Sequence, residues 1–61
     1  MNWHTREAQA LARALHNTNQ SYYNGFMAHA TWKSHMKSLW GTVDHHKLRE
    51  DVTKILGTLE P

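Results

Sequence analysis

The sequence predicts an all-α fold, a small three-helix domain with a tight turn between its second and third helices. Three observations carry this reading. Apolar residues recur at helical spacing in three separate stretches, the glycines fall between or at the ends of those stretches, and no segment alternates apolar and polar residues long enough to form a strand. The expected helices cover residues 5–18, 24–40 and 43–56 of one domain spanning 1–61.

The first helix is expected to open at Thr5, an N-cap residue type, with Glu7 in the first turn where a carboxylate favours the positive end of the helix dipole. Ala8, Leu11, Ala12 and Leu15 follow the i, i+3, i+4, i+7 pattern of one helix face. That face is narrow and rich in alanine, which lets a neighbouring helix come close, and Ala10 and Ala14 keep much of the remaining surface small. Arg6, Gln9, Arg13 and His16 form a polar row that suits either solvent or an anionic partner surface. Asn17-Thr18-Asn19-Gln20 carries side chains that compete with helix by bonding to local backbone, so the first connection is expected there. Asn24-Gly25 is a turn signal, and an irregular stretch is expected over residues 21–25.

The stretch from Tyr22 to Trp40 contains five of the six aromatic residues, two of the three methionines, two lysines and no acid, and the chain is expected to be arranged around it. Ala28, Trp32, Met36 and Leu39 fall in one stripe flanked by His29 and Trp40, while Thr31, Ser34 and Ser38 fall opposite. Lys33 and Lys37, one helical step apart, make a basic edge. Gly41 is placed to stop this helix in a left-handed conformation, and Thr42 or Asp44 to cap the next. So short a connection implies that helices two and three turn sharply against each other. In the third helix Leu48, Val52, Ile55 and Leu56 form the most regular stripe in the chain, with Gly57 as the expected terminator and Leu59 folding back. The predicted core is Leu11, Leu15, Trp32, Met36, Leu39, Leu48, Val52 and Ile55.

With 61 residues the chain is near the lower size at which a domain buries enough apolar surface to fold alone, and without cysteine it has no disulfide to help. Self-association, as a helical homodimer, is therefore expected. The absence of cysteine also favours a reducing, cytoplasmic setting. No segment has the layout of a signal peptide or the apolar length of a membrane span. The run from Met1 to Pro61 reads as a complete small gene product of the kind found in phages and mobile elements.

The formal net charge is +2, unevenly distributed. Residues 1–43 hold Arg6, Arg13, Lys33 and Lys37 against Glu7, a balance of +3, whereas residues 44–61 hold three basic residues against Asp44, Glu50, Asp51 and Glu60, a balance of −1. The sequence pI is ≈ 9.3.

Catalytic chemistry finds no support: there is no cysteine, no nucleophile motif and no glycine-rich phosphate loop, and Glu50 and Asp51 diverge on their helix. No cofactor or small-molecule substrate is expected. The six histidines suggest a metal-binding alternative, yet none forms the i, i+3 or i, i+4 pair that a helical metal site uses. DNA or RNA binding is the other alternative, motivated by the basic first two-thirds and weakened by its low density of cations. The favoured reading is a non-catalytic regulatory or adaptor protein that offers an aromatic and basic helical surface to a macromolecular partner, in the first instance another protein. The candidate surface is Arg6, Arg13, Tyr22, Tyr23, Phe26, Lys33 and Lys37, the residues left over once the apolar stripes are assigned to the core.

Overall fold

Three helices, α1 (Arg6–Tyr23), α2 (His29–Gly41) and α3 (His46–Leu59), make up the computed structural model, which describes residues 6–59; no strand occurs among them. The organising element is α1 and not the aromatic segment. Both α2 and α3 pack on α1, while α2 and α3 do not pair along their lengths. The alanine face explains the arrangement. Ala8, Ala12 and Leu15 are 0 % exposed, so α3 comes close enough to cover them completely, as only small side chains permit.

The expected break at Asn17–Gln20 does not occur, and α1 continues unbroken to Tyr23. Here tertiary contact overrides weak local preference. Thr18 donates its hydroxyl to the Ala14 carbonyl at 2.8 Å, satisfied inside the helix, and the Asn19 carbonyl oxygen accepts from the indole N–H of Trp32 on α2 at 2.8 Å. The helix stops instead at Gly25, whose φ of +82° lies in the left-handed region that glycine enters without a Cβ clash. Phe26 N–H bonds to the Ser21 carbonyl at 2.9 Å and Gly25 N–H to that of Tyr22 at 3.1 Å, the 6→1 and 5→2 pair of a Schellman motif. The Asn24-Gly25 signal is thus the end of α1, and α2 begins at His29, five residues later than expected from 24.

The cap assignments also change. Gly41 is the last helical residue of α2 and does not have positive φ; Thr42 closes the helix, its hydroxyl donating to the Leu39 carbonyl at 2.7 Å. Neither Thr42 nor Asp44 caps α3. His45 does, its Nδ1 accepting from the Leu48 N–H at 3.1 Å, a role that a histidine ring fills through its unprotonated nitrogen. Gly57 does not terminate α3, which runs on to Leu59. The expected cap at Thr5 lies outside the described residues.

The core consists of Ala8, Ala12, Leu15, Val43, Leu48, Val52 and Ile55, with Leu11, Met36, Leu39, Trp40, Leu56 and Leu59 packed on it and partly exposed. Of the expected core, Leu15, Leu48, Val52 and Ile55 are buried, and Leu11, Met36 and Leu39 are half-buried against them. Trp32 stands apart from that cluster, half-buried on Tyr22. Asp51 is also buried, its Oδ1 3.4 Å from Lys47 Nζ one turn earlier. α2 contributes no fully buried residue.

Candidate functional site

The corner where α1 hands over to α2 gathers most of the chain's rings. Tyr22 and Trp32 stack with centroids 4.8 Å apart and planes inclined by 21°, an offset-stacked pair that holds the two helices together. His29 sits against both, 5.7 Å from Tyr22 edge-on and 5.5 Å from Trp32. Tyr23 is 5.6 Å from Tyr22 on the outer side. The hydrogen bond from Trp32 to Asn19 fixes the indole orientation and ties α2 to α1 at this corner.

Two rings project from this base. Tyr23 is 71 % exposed and Phe26 84 % exposed, the most solvent-accessible large apolar side chains among the described residues. Phe26 is the residue after Gly25 in the Schellman motif, where a hydrophobic side chain commonly folds back on the helix. Its exposure means that it makes no such contact here.

Of the candidate residues, Tyr22, Tyr23 and Phe26 are brought together at this corner, with Tyr22 serving as its half-buried support. Lys33 and Lys37 are exposed on α2, with Lys33 directly following Trp32. Arg6 and Arg13 are exposed but belong to the other half of α1: at about 1.5 Å per residue they lie roughly 25 and 15 Å along the helix axis from Tyr23. They do not share a compact patch with the rings. The sequence reading left out His29, Asn19, Trp40 and Arg49. His29 and Trp40 were legible as flanks of the α2 stripe. Arg49 was not, because only the folded chain brings its guanidinium 5.2 Å from the centre of the Trp40 ring.

The electrostatics of this region are one-signed. Between Glu7 and Asp44 the chain has no acidic residue, so the whole α1–α2 hairpin beyond the first turn of α1 is free of carboxylates. On α3 Lys47 forms an ion pair with Asp51 and the His46 imidazole lies against Glu50, each at 3.4 Å. Between the two helices an open groove of about 270 Å³ is lined by Ala14 and Thr18 of α1 and His35, Ser38 and Leu39 of α2. Its Thr18 hydroxyl is already donated to Ala14. Among the described residues no three His, Asp or Glu side chains are grouped to hold a metal ion, and no helix is long and apolar enough to cross a membrane.

Comparison of the chain with protein-family models, with curated proteins and with solved structures yields no match. The functional reading therefore rests on the geometry of the chain itself.

Proposed function

We propose that this is a non-catalytic regulatory or adaptor protein of the cytoplasm that docks a macromolecular partner, in the first instance another protein, through the α1–α2 corner. The observation that carries the reading is the exposure of Tyr23 and Phe26, 71 % and 84 %, on a corner held in place by the Tyr22–Trp32 stack. An aromatic side chain projecting from a rigid base binds without losing much conformational freedom, which is why such residues dominate interface energetics. Lys33 and Lys37 supply the cationic rim that steers an acidic partner toward it.

Affinity capture from a cytosolic extract tests this. Phe26→Ala is expected to lose the partner, by about 2 kcal/mol or more if the ring is a hot spot, whereas alanine at Lys33 and Lys37 should chiefly slow association and reduce its salt dependence. Nucleic acid is the second reading, favoured by the absence of acids from Ala8 to Val43. Recovery of no protein, together with duplex binding whose steep salt dependence is flattened by the two lysine replacements, would replace the first reading by the second.

We also propose that the chain works as a homodimer. A chain of 61 residues has a small core and, without cysteine, no disulfide to help it, so a second copy has stability to supply. Sedimentation equilibrium at micromolar concentration is expected to give twice the 7.1 kDa of one chain. A 7.1 kDa species with a melting temperature indifferent to dilution excludes the dimer.

A further inference from the structure

We propose that the stripe His29–Lys33–Lys37–Trp40, continued by Arg49, is the seat of an acidic amphipathic helix from the partner, with Tyr23 and Phe26 gripping its apolar end. The inference rests on the contact-module reading above and names the chemistry of the partner.

The stripe is built into α2. His29, Lys33, Lys37 and Trp40 recur at i, i+4, i+8 and i+11, which places them along one edge of the helix. The first three are exposed and Trp40 is half-buried. At one end His29 packs on the Tyr22–Trp32 stack, whose Tyr22 is 5.6 Å from the exposed Tyr23; at the other the Arg49 guanidinium lies over Trp40 at 5.2 Å. A row of cations thus runs from an aromatic grip to a cation–π pair. Neither lysine forms an ion pair among the described residues; of the acids in the second half of the chain, Asp51 is paired with Lys47 at 3.4 Å, while Glu50, 3.4 Å from His46 Nε2, and Asp44 are exposed. Lys33 and Lys37, in a segment without acids from Ala8 to Val43, are left with uncompensated positive charge.

Spacing selects the partner. Lys33 and Lys37 are about 6 Å apart along the axis, the separation of carboxylates at i and i+4 on a second helix. Beside them Trp32, Met36 and Trp40 are only partly buried, so a helix lying along this edge can cover apolar surface while its acids meet the lysines and Arg49. Nucleic acid fits the same stripe less well. Three cations neutralise at most about three phosphates, a log–log salt slope of roughly −2 to −3, compared with the six to ten contacts of about −5 to −9 that support tight electrostatic binding.

Titration of the ¹⁵N-labelled protein with a helical peptide, bearing glutamates at i, i+4 and i+8 beside a leucine stripe, tests the assignment by NMR. The expected result is saturable shifts concentrated on Phe26, His29, Lys33, Lys37 and Arg49. The double variant Lys33→Glu, Lys37→Glu, at exposed positions, should keep the fold by circular dichroism, bind this peptide about tenfold more weakly or worse, and bind a lysine-for-glutamate version of it instead. Absence of saturable shifts at millimolar peptide overturns the proposal, as does undiminished binding by the double variant. So does a short oligothymidylate that moves the same resonances at lower concentration than the peptide, which would assign the stripe to nucleic acid. Phe26-dependent capture of a protein that survives the double charge reversal would reject this inference and leave the contact-module reading standing; loss of Phe26 dependence as well would reject both.

Discussion

Val52→Asp is expected to unfold the protein. Val52 is 0 % exposed at the centre of the α3 stripe, enclosed by the same cluster that contains Ala8, Ala12, Leu15, Leu48 and Ile55. The substitution removes a buried branched side chain and introduces a carboxylate beside Asp51, which is already buried and engaged with Lys47. An unpaired buried charge with loss of core packing belongs to the small class of changes that exceed about 4–5 kcal/mol. At roughly 0.05–0.15 kcal/mol per residue, a domain of this size has only about 3–9 kcal/mol in total. Far-UV circular dichroism at 25 °C should show the helical signal collapse. Native helicity with a cooperative melt near that of the parent protein would mean that Val52 is not in the core.

Ala12→Leu is expected to disrupt the packing of α1 on α3, and for the opposite reason: too much volume. Leucine is nearly as good a helix former as alanine, so α1 by itself is indifferent to the change. In the folded chain Ala12 is 0 % exposed, and the added side chain has to push the helices apart or adopt an unfavourable rotamer, at about 1–3 kcal/mol or more. Ala10→Leu on the same helix supplies the control, because Ala10 is exposed. A fall in melting temperature of the order of 5–20 °C for Ala12→Leu, at about 4–8 °C per kcal/mol, with little change for Ala10→Leu, is the expected outcome. Equal effects of the two substitutions would show that α1 does not use this face to receive α3.

The contrast between these two alanines shows where local pattern suffices. The spacing of Ala8, Leu11, Ala12 and Leu15, and of Leu48, Val52 and Ile55, identifies the buried faces of α1 and α3 from sequence, since a helix with a single apolar face has one way to bury it. The same spacing finds the packed side of α2, where Met36 and Leu39 lie on the core, but overstates its weight in the fold. Its stripe has the largest side chains in the chain and so looked like the organiser, but size does not bring helices close; the alanines of α1 do, and α1 therefore takes the middle position. The candidate site divides in the same way. Tyr23, Phe26, Lys33 and Lys37 were correctly anticipated as exposed. The separation of Arg6 and Arg13 from the aromatic corner follows from α1 continuing through residues 17–20, and the pairing of Arg49 with Trp40 joins residues from different helices.

What the sequence by itself determined is the all-α class, the buried faces of α1 and α3, and the acid-free character of the segment between them, all of which are set by periodicity and composition. The tertiary structure alone decided which helix is central and that α1 runs on through Asn19. Asn19 remains helical with Trp32 donating to it from another helix, whereas Thr42 and His45 cap through local bonds to residues three positions away. An asparagine is less favourable in a helix than the best helix formers by less than about 1 kcal/mol, so one hydrogen bond from a residue distant in sequence is sufficient to keep Asn19 in α1.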